Sequence, residues 1–415
     1  MRTLILNTSD TKGGAARAAY RLHQGLQRIN GASQMLVQTK RSDDSAVLGT
    51  GAASGIGQAK TGLRLTLDQL PLKRYPGYNG STFSPQWLPD RVAAQVARLN
   101  PDVINLHWIN AGFLQIETIA RLKKPLVWTL HDMWAFTGGC HYTQSCDRYE
   151  KMCGACPQLG SSRTQDLSRR IWQRKAKTLQ GLDLTIVTPS QWLKACAESS
   201  TLLKDKRIDC IPNGLDPALY RPFDKQAARA ALRLPADQQL ILFGSLKATS
   251  DRRKGFHLLQ TALQQLSQSL RHRVELVVFG ASEPEQPPEF GFKTHYLGSF
   301  SDDLSLMLIY SAADAFILPS VQENLANTVM EALACAVPCV AFEIGGMPDM
   351  IEHQSNGYLA KPYEADDLAN GIAWVLEDSG RHQALSERAR AKVISEFTLE
   401  NQASRYHSLF EAIRQ

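Results

Sequence analysis

Short apolar runs recur along nearly the whole chain: RTLILNT, DVINLHW, PLVWTLH, LTIVTPS, RIDCIPN, QLILFGS, VELVVFG, AFILPS and VPCVAFE. Each is strand-sized, and amphipathic stretches of helical length separate them. That alternation predicts successive β-α units assembled into parallel sheets. No repeat of roughly 20–50 residues is visible, which sets aside solenoids and propellers. A chain of 415 residues is too long for one compact core, so an α/β protein of two Rossmann-like domains is expected. With 43% hydrophobic and 21% charged residues, the chain is neither disordered nor fibrous.

The charge pattern locates the division. Residues 1–205 hold 26 Lys and Arg against 14 Asp and Glu, whereas residues 206–415 hold 20 against 26. CIPNGLDPALYRPFD follows the change of sign, with three prolines and an Asn-Gly pair, and reads as a hinge. The expected domains are 1–205 and 206–395, with a final helix over 396–415 packing back on the first. Two such sheets would face each other across a cleft, with ligands beyond the carboxyl ends of their strands. The basic first half either attracts an anionic partner or is an ordinarily solvated face. MRTLILNTSDTKGG lacks the features of a secretory signal, so a cytoplasmic location is expected. No apolar run approaches the roughly 18 residues of a membrane span.

The loops after the strands carry the chemistry. Gly13 and Gly14 lie between the first strand and a helix of small residues, where glycine allows either a plain turn or close approach of backbone N–H groups to an anion. Arg252, Arg253 and Lys254 follow LILFGS and precede a helix, positioned to neutralise a diphosphate or simply to be solvated. After AFILPS comes VQENLANTVMEALA. Glu323 ends a loop, Asn324, Leu325, Ala326 and Asn327 lead into a helix, and Glu331 lies eight positions on, about two helical turns. Backbone N–H groups at that helix start suit phosphate, and the two carboxylates suit hydroxyls at opposite ends of a nucleotide sugar.

The E-x7-E pattern, preceded by the lysine-glycine loop and IPNGLD and followed by GGMPDMI, resembles glycosyltransferase family four, retaining enzymes of the GT-B fold. The resemblance runs over nearly the whole chain. LHWINAGF, WTLHDMWAFTGGC and the cysteine stretch resemble its colanic-acid and exopolysaccharide branch. The resemblance implies a nucleotide-diphosphate-sugar donor held mainly by the second domain and a saccharide or lipid-linked acceptor held mainly by the first. Glu323 would bond the donor sugar, Glu331 the ribose, and Arg253 and Lys254 the diphosphate. Gly13 and Gly14 would border the reaction centre, with His131 beside the sugar. Ser245 stands where many members carry arginine, which shifts the neutralising role to Arg252, Arg253 and Lys254. Retention with no evident nucleophile implies front-face attack. No Asp-x-Asp pair occurs, so no catalytic metal is expected.

Cys140, Cys146, Cys153 and Cys156, spaced C-x5-C-x6-C-x2-C, read as a structural zinc staple, as free thiols, or as an iron–sulfur or redox site. His107 and His141 are extra ligands, acceptor contacts or satisfied structural histidines. The helix over Asp166–Leu182 sets Trp172 among Arg169, Arg170, Arg174, Lys175 and Lys177. It reads either as a peripheral contact with an anionic membrane or as a solvated helix packed through Leu167, Ile171 and Leu179. Two other functions share these features: a GT-B-like sugar-nucleotide epimerase, and a basic zinc-stapled nucleic-acid-binding protein. With the E-x7-E segment in view, no nucleic-acid partner is expected.

Overall fold

The computed structural model describes residues 1–51, 55–244, 252–300 and 302–414, without the side chains of 55–61. The chain divides into two units, Met1–Gly214 with Leu399–Gln415, and Leu215–Thr398.

The first unit is built on β1 (Arg2–Ser9), β2 (Ala32–Thr39), β3 (Val47–Gly49), β4 (Val103–Leu106), β5 (Leu126–Thr129), β6 (Leu184–Thr188) and β7 (Arg207–Cys210). They form one sheet in the order β3-β2-β1-β4-β5-β6-β7, with every pairing parallel. Helices cover both faces, so β4, β5 and β6 are buried along their whole length and read as continuous apolar runs. Alternate residues serve opposite faces. Leu4, Leu6, Ile104, Leu106 and Trp128 enter one core, while Ile5, Val103, Val127 and Val187 enter the other. The second core also takes Leu22 and Leu26 of the helix Gly14–Arg28, and Tyr406 and Phe410 of the helix Leu399–Arg414. Burial of each such side chain stabilises by about 1.5–3 kcal/mol. The Tyr406 hydroxyl lies 2.9 Å from Thr129 Oγ1, tying the last helix to β5.

The second unit contains β8 (Gln239–Gly244), β9 (Val274–Phe279), β10 (Thr294–Tyr296), β11 (Ala315–Leu318), β12 (Cys339–Phe342) and β13 (Gly357–Ala360). Their order is β10-β9-β8-β11-β12-β13, again parallel throughout. Strand order reverses between β1 and β4 in one sheet and between β8 and β11 in the other. Such switch points open a crevice beyond the strand ends, where ligands of doubly wound sheets bind. The loops after β1, β4, β5 and β11, and the turn Arg252–Lys254, carry the candidate site residues.

Candidate active site

In the second unit, Lys254 ends the 3-10 turn Arg252–Lys254, and Gly255 caps the helix Phe256–Leu270 that follows. The loop after β11 lies against this turn: Val321 N–H donates to the Arg253 carbonyl at 2.9 Å, and Arg253 Nη1 donates to the Gln322 carbonyl at 3.3 Å. Lys254 Nζ thereby meets Glu323 Oε2 at 2.6 Å, with the two side chains 18% and 12% exposed. Burial by itself would raise the Glu323 carboxyl, but Lys254 and then Arg253 hold it below the usual carboxylate range. Asn324 N–H donates to Glu323 Oε1 at 3.3 Å. Asn324, Leu325 and Ala326 are buried, and Ala326 caps the helix Asn327–Ala334. Glu331 lies on that helix, 2% exposed, and accepts from the Tyr310 hydroxyl at 3.0 Å.

The turn therefore brings Arg253, Lys254 and Glu323 together and holds Glu331 one helix away. Arg252 is exposed, and Ser245 lies outside the described residues. Two contributors escaped the sequence reading. Tyr310, fully buried on the helix Asp303–Ala312, gives no sequence signal of its bond to Glu331. Gly345 was visible only as part of GGMPDMI. It has φ +53, and a Cβ there would lie 1.8 Å from the Glu323 carbonyl oxygen, so only glycine lets this loop back the glutamate.

In the first unit the candidate residues are glycines and imidazoles. Gly13, at φ 96, caps the helix Gly14–Arg28, a backbone setting that glycine alone adopts readily. Asp10, fully buried before it, accepts from the N–H groups of Thr11, Arg41 and Ser42 at 2.9, 2.9 and 2.7 Å, pinning the loop after β1 to the chain beyond β2. His131, just beyond β5, places Nε2 2.9 Å from His107 Nδ1, beyond β4, with the rings stacked at 5.1 Å. His107 Nε2 faces Asn105 Oδ1 at 2.8 Å, and Asn105 Nδ2 donates to Thr129 Oγ1 at 3.0 Å. Since a carbonyl oxygen only accepts, the network assigns the His107 proton to Nε2 and makes its Nδ1 the acceptor of the His131 Nε2–H. Burial lowers both histidines, His131 to about 4 against the opposing pull of Asp132, and the charge of His131 lowers His107 further. Both rings are neutral at neutral pH.

Asp132 Oδ2 pairs with His141 Nδ1 at 2.6 Å and accepts from Trp108 Nε1 at 3.0 Å, while Oδ1 accepts from Trp134 N–H at 2.8 Å. His141 Nε2 lies 2.8 Å from Ser84 Oγ. Both nitrogens of His141 are thus engaged within the protein, and it is a satisfied structural histidine. Nothing in the spacing of Asn105, His107, Asp132 and His141 announces these contacts.

Two family models cover most of the chain. That described as Glycosyltransferase Family 4 matches residues 12–219, and that described as Glycosyl transferases group 1 matches residues 224–392. The chain belongs to glycosyltransferase family 4. It is 27% identical over 228 residues to an uncharacterized glycosyltransferase of Methanocaldococcus jannaschii, covering 52% of this chain and 57% of that relative. Among solved structures, sucrose-phosphate synthase from Thermosynechococcus elongatus matches with TM-score 0.71 and 20% identity, covering 100% of this chain and 99% of that one. Anabaena HepE in complex with UDP-glucose matches with TM-score 0.66 and 18% identity, over 99% and 100% of the two chains. The parallel-sheet units are those of the GT-B fold.

The structure bears on two readings that the sequence leaves open. The helix Leu167–Leu179, capped by Asp166 accepting from Arg169 N–H, does not present the basic face its composition promised. Arg174 is held by Glu117 at 2.6 and 2.8 Å and by the carbonyls of Pro85 and Gln86, Arg169 and Lys175 are buried, and only Arg170 and Lys177 are exposed. Ile171 and Leu179 are buried, as the packed-helix alternative required. No described helix is long and apolar enough to cross a membrane.

The cysteines depart from a preformed tetrahedral set. Cys140, Cys146, Cys153 and Cys156 line one cavity, yet among the described residues no group of three or more His, Cys, Asp or Glu is arranged to hold a metal ion. Burial pushes the thiols of Cys140, Cys153 and Cys156 up, and protonated thiols exert no pull that would draw them together.

Proposed function

We propose that this transferase moves a sugar, with retained anomeric configuration, from a nucleoside-diphosphate sugar to a saccharide or lipid-linked saccharide acceptor in the assembly of a cell-surface polysaccharide. The observation that carries the reading is the Lys254–Glu323 pair at 2.6 Å beside the start of the helix Asn327–Ala334. A cation, a carboxylate and a helix N-terminus in one loop cluster match a ligand that joins a diphosphate to a polyol. Lys254 and Arg253 take the diphosphate, Glu323 the hydroxyls of the transferred sugar, and Glu331 the ribose. Tyr310 keeps the Glu331 carboxylate in one orientation. The complex of HepE with UDP-glucose supports a uridine diphosphate sugar as the first donor to test.

Transfer proceeds on the front face. The acceptor oxygen bonds to the anomeric carbon as the bond to the diphosphate breaks, and a phosphate oxygen of the leaving group takes the acceptor proton. Lys254 and Arg253 stabilise charge that grows on the diphosphate. In the first unit, the Gly13–Gly14 loop and neutral His131 offer hydrogen bonds to sugar hydroxyls without adding charge. Lys254 and Arg253 supply the positive charge that a metal ion provides in other transferases, so activity survives a strong chelator.

The test measures thermal stabilisation by UDP-, GDP-, ADP- and TDP-sugars with and without chelator, then the anomeric configuration of the product by NMR. A shift with one nucleotide class that persists in chelator, and a product of retained configuration, are expected. An inverted product or a trapped covalent glycosyl-enzyme overturns the mechanism. Donor isomerisation without acceptor replaces transfer by epimerisation.

A further inference from the structure

The cysteine stretch is the one sequence motif that glycosyl transfer leaves unused. Its four thiols line a single cavity of about 20 Å3, room for one water-sized guest. Cys140, Cys153 and Cys156 are each 8% exposed. A backbone donor points at one of the sulfurs: Gly138 N–H donates to Cys153 Sγ at 3.1 Å. N–H groups directed at sulfur favour thiolates over thiols.

The second observation is Lys175. It is 1% exposed, its ammonium donates to the carbonyls of Trp134 and of Thr137, the latter at 2.9 Å, and it stands 3.6 Å from the centroid of the Trp134 ring. No carboxylate among the described residues forms an ion pair with it. Its neighbours able to carry negative charge are Cys153, Cys140 and then Asp132, and Asp132 is already paired with His141. Burial pulls the Lys175 amine down to about 7, so its ammonium form calls for a counter-charge. Four thiolates around a divalent ion carry a net charge of −2 and supply it from the cysteine side.

We propose that Cys140, Cys146, Cys153 and Cys156 bind one thiophilic divalent ion, zinc in its chemistry, as a structural tetrathiolate centre whose charge is countered by Lys175. Each sulfur turns about its single χ1 to converge on the cavity. On uptake four S–H bonds break, four S–Zn bonds form, four protons leave to solvent, and nothing is oxidised or reduced. Room for one water-sized guest matches a single ion. His141 is excluded as a ligand because Asp132 and Ser84 hold both its nitrogens. With all four positions filled by sulfur the ion has no open site for substrate, so it staples the loop beyond His131 and Asp132 and takes no part in transfer.

The full chain, purified without chelator, is assayed for metal by plasma mass spectrometry. One zinc per chain is expected, and replacement by cobalt produces the visible bands of tetrahedral thiolate cobalt. Cys153→Ser with Cys156→Ser removes both signals. Lys175→Met, checked for folding by circular dichroism, weakens zinc about 10–100-fold in competition with a chromophoric chelator. A folded wild-type chain that carries no zinc, takes up neither zinc nor cobalt and titrates as eight free thiols overturns the site, as does an iron–sulfur chromophore. Unchanged zinc affinity in Lys175→Met overturns the counter-charge. Should the cysteine variants fail to fold, the metal content and cobalt spectrum of the wild type decide.

Discussion

The two units solve opposite electrostatic problems with the same sheet. Beyond β11 in the second unit, the site is made of full charges: Lys254, Arg253, Glu323 and Glu331. Beyond β4 and β5 in the first, two uncharged imidazoles are fixed by an asparagine and a threonine, and the Asp132 carboxylate beside them is held by His141. Charge is concentrated where a diphosphate would have to be held. Where hydroxyls would be aligned, the chain uses short hydrogen bonds that set tautomers. On the proposed roles, charge stabilisation and orientation fall to different units.

The largest expected effect tests the charged half. Lys254→Met removes the stabilisation of the leaving diphosphate and leaves Glu323 without its cation, and kcat/KM for transfer should fall about 10²–10³-fold. Activity within tenfold of wild type would falsify the assignment of Lys254 to the diphosphate. The Glu331→Gln variant serves as a sharper control, since it should raise donor KM with little change in kcat.

A smaller loss is expected where packing alone supports the charged half. Gly345→Ala sets a Cβ against the Glu323 carbonyl in a left-handed backbone, a strain of about 2 kcal/mol, or roughly thirtyfold in donor affinity. Calorimetric titration with the donor reads this directly. An unchanged dissociation constant would show that the loop after β12 moves independently of Glu323.

The smallest effect belongs to the neutral half. His131 is held at about 4, below its unfolded value, so the folded protein takes up its proton later than the unfolded chain. Its contribution is complete above about pH 6.5 and is lost as pH falls through 6.5 toward 4. Because the ring is partly accessible, the loss between pH 7 and pH 5 is about 1 kcal/mol. Urea unfolding followed at the two pH values should show a slope that His131→Gln flattens. An equal slope in the variant would assign the pH dependence to other groups.

The same contrast explains what could be read from sequence. The charged half was legible because its parts lie in two short segments, Arg252–Lys254 and Glu323 to Glu331, each following a strand. The His107–His131 relay was not, because its members sit on different strands and meet only when β4 and β5 pair. β2 was overlooked because Ser33, Gln34 and Gln38 interrupt its apolar run, and β3 and β10, three residues each, are too short to stand out. The basic helix misled for a related reason. Composition counts cations but does not say which way they turn, and Arg174 and Lys175 turn inward.

The Lys254–Glu323 contact has one more consequence. Each residue is the other's partner in the ligand-free protein, so an incoming molecule that captures only the lysine strands a desolvated carboxylate, and one that captures only the glutamate strands an ammonium. Inorganic phosphate or free sugar alone meets that penalty in full. A ligand carrying both an anion and a row of hydroxyls meets neither. On the proposed reading, the pair acts as a two-key lock that favours intact donors over their fragments.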